Sequence, residues 1–355
     1  MRKKIYLLLF ICIAIWIISV FVNIWLFIVL TTIGIIGVLC IALFIIANKL
    51  LIRTNWWRNQ YLATEQFVSN AGYRDNIIRN YDIINLGSNP AHFAFFYENV
   101  KGQSWATGSQ GQDMDFEILK YYHSYLKRGA TVIIPIMPFT AISPYLKERK
   151  DYWGIEYYSK FAKLLDGSQT LTFPYGKKLI YYLRYPLLFN IKAIRYIVHD
   201  ANLDTRYLLN EQTMMKMKLE QDANIWIQNW LKEFNLRSLN EVNGNLWKKY
   251  YEEAITMNKK IVDFCLEREL KPVFLCVPIT KHLSSLFSTS FHQYMITDFV
   301  NKANVHNVPF LDYTNDERFT ADNLFFNSFF MNLKGRKLFT KQVLKDLGIY
   351  DKEEK

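Results

Sequence analysis

The stretch Asn85 to Phe96, NLGSNPAHFAFF, places a Gly-Ser pair directly after the short apolar run Tyr81 to Leu86. A hydroxyl on a tight turn at the end of a buried strand can act as a nucleophile when an imidazole takes its proton and a carboxylate orients that imidazole. Ser88 offers such a hydroxyl, and His92 lies four residues further on. A second glycine-bearing loop, Ala106 to Gln112 (ATGSQGQ), precedes a predicted helix. Backbone N–H groups there would favour anionic oxygen, as an oxyanion hole requires. Gly87, Ser88 and Asn89 on the first loop, with Gly108, Gln110 and Gly111 on the second, form the candidate ligand pocket. Neither GxGxxG nor GxxxxGK[ST] is present, so a phosphate loop fits poorly and no cofactor is implied.

These loops need a scaffold, and the hydrophobic pattern supplies one. Tyr81 to Leu86 and Thr131 to Met137 are continuous apolar runs, as strands buried on both faces should be. Between them Asp113 to Lys127 carries Met114, Phe116, Leu119, Tyr122 and Leu126 near helical spacing, stopped by Arg128-Gly129. Later in the chain the pattern predicts a helix over Leu246 to Leu270, a strand over Pro272 to Val277 and a helix over Phe291 to Ala303. A strand over Val308 to Leu311 and a helix over Lys334 to Leu347 follow. Four strands with helical crossovers imply an α/β fold, a three-layer, flavodoxin-like sandwich on a parallel sheet. Residues 143–245 lack a strand rhythm and read as a helical insertion rich in Tyr, Trp, Leu and Lys. Its aromatics would pack into the core or form a cap over a sugar or lipid.

The third chemical block is Asp312 to Thr340, DYTNDERFTADNLFFNSFFMNLKGRKLFT. With Asn85-Leu86-Gly87-Ser88-Asn89, the Gly108 to Gln112 loop, Phe310-Leu311-Asp312-Tyr313, Asp316-Glu317-Arg318-Phe319 and Asn332-Leu333-Lys334-Gly335, it resembles the SGNH/GDSL hydrolase family. The layout resembles in particular the membrane-anchored branch found with polysaccharide biosynthesis, and is similar in plan to proteins of alginate acetylation and teichoic-acid D-alanylation. The resemblance covers about residues 81–139 and 271–345 and implies an SGNH sandwich.

The resemblance also implies a triad, and its three positions are replaced. Asn89 stands where the family has its serine, Asn327 where it has aspartate and Phe330 where it has histidine. An amide is no such nucleophile, and a phenyl ring accepts no proton. The expected function is therefore a non-catalytic membrane protein assisting surface-polysaccharide or cell-envelope assembly or modification. It would bind a glycan or acyl ligand, or a membrane acyltransferase or polysaccharide-assembly partner. The alternative is an esterase or O-acyltransferase on a glycan, rebuilt around Ser88 and His92. A third possibility is an interaction protein that recruits its partner through the insertion. His123, His199, His282, His292 and His306 accompany no partner motif, and Asp316 with Arg318 reads as a turn rather than a metal site.

Membrane attachment is written in the first 55 residues. Ile5 to Asn48 contains no charge, and one straight helix of that length would reach about 66 Å, twice a bilayer's hydrocarbon core. Two spans, roughly Ile5 to Val22 and Leu26 to Ile46, turning near Asn23, fit better than one signal anchor followed by a packed helix. Residues 56–355 then form the SGNH-like domain. Arg2, Lys3 and Lys4 before the run and Lys49, Arg53 and Arg58 after it favour both ends, and the soluble domain, on the cytoplasmic side. The resemblance instead implies action outside the cytoplasmic membrane. These six cations account for much of the net charge of +11. The remaining excess is too scattered for nucleic acid, and anionic membrane lipid is the simpler partner for the flanks. Cys12, Cys40, Cys265 and Cys276 show no CxxC spacing and read as buried thiols.

Overall fold

The computed structural model describes residues 24–58, 68–69, 72–73, 80–108, 110–148, 177–199 and 213–349, with residues 11, 13–15, 17 and 18. Contacts divide the chain into two units, residues 1–54 with 181–200 and residues 55–180 with 201–355. The expected insertion is thus shared, since Tyr181 to Asp200 clusters with the anchor.

In the larger unit, five strands form one parallel sheet: β1 (Tyr81–Asn85), β2 (Gly102–Ser104), β3 (Leu126–Pro135), β4 (Lys271–Cys276) and β5 (Phe310–Asp312). Their order is β2-β1-β3-β4-β5, the flavodoxin-like doubly wound order. Ile83, Ile84 and Asn85 pair with Thr131, Val132 and Ile133, while Val132 and Ile134 pair with Pro272 and Phe274. Alternation along the strands sends side chains to two cores. Ile84, Val132, Ile134 and Phe274 meet helices α1 (Gln112–Tyr122) and α3 (Asn245–Leu266) on one face. Ile83, Ile133 and Leu275 meet Phe325 and helix α4 (Leu333–Asp346) on the other. Burial on both faces explains why the strand sequences are continuous rather than alternating.

Three sequence expectations change. The sheet has five strands rather than four, because β2 is the polar tripeptide Gly102-Gln103-Ser104 at the edge. The first core helix ends at Tyr122, not Lys127; His123 to Tyr125 is a 3-10 turn and Leu126 already pairs with Tyr81. Gly129, read as a helix stop, has φ +76° beside the register shift between the Tyr81 and Ile83 pairings. There a glycine costs little, as the bulge needs left-handed backbone.

The other described elements of the expected insertion are helical. They include helix α2 (Lys216–Glu233), where Leu219, Ala223, Ile227 and Trp230 are buried at helical spacing.

In the smaller unit, residues 24–51 (Ile24–Leu51) form a helix of 28 residues, apolar and long enough to cross a membrane. It continues past the expected end at Ile46. Cys40 lies exposed on this helix, whereas Cys265 and Cys276 are buried. The first expected span and the turn near Asn23 fall largely outside the described residues, as do residues 149–176 and 200–212 of the insertion.

Candidate functional site

The chain turns from β1 to β2 in one direction and then back across β1 to β3. That reversal opens a crevice beyond the carboxyl ends of β1 and β3, where ligands bind in sheets of this order. A cavity of about 470 Å³ lies there. Its floor includes Gly87, Ser88 and Asn89 after β1, Pro135 and Met137 around the end of β3, and Gln110, Gly111 and Asp115 at the start of α1. Five of the six residues expected to form the pocket thus share one cavity. Gly108 is not among the lining residues, but a Cβ added there would fall 3.0 Å from Asn89 Oδ1, so it backs the Asn89 amide.

Local chemistry fixes the floor. Gly87 takes φ +104°, and a Cβ there would approach Pro135 Cγ to 2.9 Å. Glycine meets both demands of the turn, backbone conformation and space. Its N–H donates to Asp115 Oδ1 at 2.8 Å, and Gln110 Nε2 donates to the same oxygen at 2.5 Å. Asp115 is only 4% exposed. Burial pushes its carboxyl up to about 7, against the opposing effects of these two donors, and Asp113 adds to the rise. Asp115 is the principal residue that sequence reasoning missed. Its sequence context is that of an ordinary acidic residue in a first helical turn, which favours carboxylates anyway.

The walls are aromatic. Phe139, Phe329 and Phe330 line the cavity in ring contact with the residues that α2 and its end supply, Trp226, Trp230 and Phe234. Their spacing of four residues, a stripe on one helical face, was the available sequence signal. Phe139 lies 5.1 Å from Trp230 and 5.0 Å from Phe234, ring centre to ring centre. At the rim, Lys147 pairs with Glu253 at 3.0 Å and with Asp113 at 3.7 Å, so the one lysine of the lining already has two carboxylate partners.

Asn89 and Phe330 both line the cavity, while Asn327 does not. The Phe330 ring stacks on Phe93 at 4.8 Å and 29° and meets Trp226 at 5.4 Å. Asn327 Oδ1 accepts the backbone N–H groups of Phe329 and Phe330 at 3.0 and 2.7 Å. Its amide therefore shapes the loop. The next residue ties that loop down: Ser328 donates its N–H and its hydroxyl to Asp222 of α2, and its carbonyl accepts from the Thr280 hydroxyl.

Ser88 lines the cavity, but His92 does not; its ring packs edge-on to Phe93 at 5.1 Å. Three of the histidines that showed no partner motif in sequence do meet carboxylates. His282 lies 3.0 Å from Asp322, His292 3.0 Å from Asp312 and His306 2.6 Å from Asp263. None of them lines this cavity. Asp316 grips Arg318 through two guanidinium nitrogens and caps its N–H, the turn expected from sequence. Among the described residues, no group of three His, Cys, Asp or Glu side chains is placed to hold a metal ion.

Fold and cavity together define a doubly wound α/β protein with a ligand-sized crevice at the switch point of its sheet. Compared with protein-family models and with curated proteins, the chain matches none.

Proposed function

We propose that this protein is a membrane-anchored, SGNH-like binding protein that holds a neutral glycan unit without hydrolysing it, in support of cell-envelope polysaccharide assembly or modification. The observation that carries the reading is the combination of an open crevice with Asn89 and the stacked Phe330 where the resemblance expects a hydroxyl and an imidazole. A pyranose offers apolar C–H faces to Trp226 and Trp230, and its hydroxyls can donate to Asp115 and exchange hydrogen bonds with Asn89. An anionic polymer is disfavoured, because Asp113, Asp115 and Glu253 face the cavity with Lys147. The cations flanking the apolar run favour the cytoplasmic side for the domain.

Titration of tryptophan fluorescence in the detergent-solubilised full chain tests this reading. A neutral tetrasaccharide of N-acetylglucosamine is expected to saturate the signal, and Trp226→Ala to weaken binding about tenfold, as loss of one aromatic contact of about 1.4 kcal/mol would. A polyuronate of the same length should not bind. Saturation by the polyuronate instead, or neutral binding unchanged in both Trp226→Ala and Asn89→Ala, would sink the proposal.

A second reading is favoured by Asp115. A carboxyl brought to about 7 beside a cavity is matched to general acid–base work near neutrality. An esterase or acyltransferase would then use Ser88 as nucleophile, with Asp115 in place of the imidazole.

A further inference from the structure

We infer that residues 181–198 form a second membrane-contact element, lying in the interfacial layer of the bilayer and touching acidic lipid headgroups. The inference rests on the reading that Ile24–Leu51 crosses the membrane. This segment belongs to the same compact unit as that helix and is pinned near its C-terminal end. Leu187 N–H donates to Asn48 Oδ1 at 3.0 Å, and the Tyr185 ring stacks on Phe44 at 6.4 Å. A chain fixed there sits at the depth where the helix leaves the hydrocarbon.

What the segment presents at that depth is apolar. Leu187 and Ala193 are buried, whereas Leu188, Ile191, Ile194 and Val198 are 60%, 62%, 49% and 78% exposed. The last three recur at i, i+3 and i+7 through two consecutive short turns, Ile191–Ile194 and Arg195–Val198. Arg184, Lys192 and Arg195 punctuate them, and residues 177–199 contain no acidic side chain. Exposed aliphatics interleaved with cations and tyrosines make up the composition of an interfacial, lipid-facing element. Continuity with the membrane-crossing helix selects the bilayer as occupant.

Spin labels on the full chain, with Cys12 and Cys40 replaced by alanine and the protein reconstituted in vesicles of phosphatidylcholine with phosphatidylglycerol, provide the test. Labels at Leu188→Cys, Ile191→Cys, Ile194→Cys and Val198→Cys are expected to collide with oxygen more than with a water-soluble nickel complex. Labels at Lys192→Cys and Arg195→Cys should show the reverse. The double variant Lys192→Glu/Arg195→Glu should lose the oxygen preference at Ile191→Cys and Val198→Cys. Nickel-accessible labels at all four apolar sites would overturn the inference, and labels shielded from both reagents would assign the face to a protein partner instead. A label at Leu39→Cys separates the two levels. If it too is nickel-accessible, the membrane-crossing helix itself fails; if it prefers oxygen while the four do not, only the interfacial element fails.

Discussion

Alanine at Gly335 is expected to destabilise the larger unit by about 3 kcal/mol, the upper end of what overpacking a core typically costs. Gly335 sits in the first turn of α4, where its N–H donates to Asn332 Oδ1 at 3.0 Å. A Cβ there would press into the backbone oxygen of Leu324, well inside contact distance, and lie 3.0 Å from its carbonyl carbon and 3.1 Å from Met331 Cε. The obstructing atoms are chiefly backbone, so no side-chain rotation relieves the clash. The close approach matters to the site because Asn332 also donates Nδ2–H to the Asn323 carbonyl at 2.8 Å, holding the strand of chain that leads to Asn327 and Phe330. Chemical denaturation of the solubilised full chain would measure the loss. A change below about 1 kcal/mol would show that helix and loop are not locked together as described.

Asp115→Asn is expected to stabilise the protein at pH 8 by about 2–4 kcal/mol and to change little at pH 4. The sign follows from proton binding. The carboxyl goes from 3.8 in the unfolded chain to about 7 in the fold, with burial as the main cause. Between these values the folded state binds more protons than the unfolded one. Stability from this group is therefore full below about pH 4 and is lost as pH rises through about 7. Asparagine keeps an oxygen for the Gly87 N–H and Gln110 Nε2 while removing the buried charge. Paired denaturation curves at pH 4, 6 and 8 for wild type and variant would show the gap opening with pH. A variant less stable than wild type at pH 8 would contradict burial as the dominant influence on Asp115.

The sheet was readable because parallel strands buried on both faces leave continuous apolar runs, and Ile83-Ile84 and Val132-Ile133-Ile134 are such runs. Gly102-Gln103-Ser104 leaves no such trace: an edge strand of three residues pairs through its backbone, and Ser104 is held by Asn85 Nδ2 at 3.1 Å rather than by apolar packing. The pattern over Asp113 to Lys127 overshoots α1, which ends at Tyr122, because Tyr125 and Leu126 continue its apolar spacing while serving the core from a 3-10 turn and a strand. At the site, the Gly87 turn and the loop at Gln110 were visible as local patterns. Asp115 was not, since only the crossover from β2 to β3 brings the first turn of α1 beneath Gly87. The Trp226, Trp230 and Phe234 stripe showed an aromatic helix face but carried no information about which end of the sheet it would cover.

A crevice that binds without turnover leaves ester hydrolysis at the uncatalysed background. Purified full-chain protein would be assayed with p-nitrophenyl acetate at pH 8, comparing wild type with Ser88→Ala and Asp115→Asn. The same background rate is expected from all three. Robust wild-type turnover abolished in Ser88→Ala or Asp115→Asn would contradict it and establish a rearranged active site.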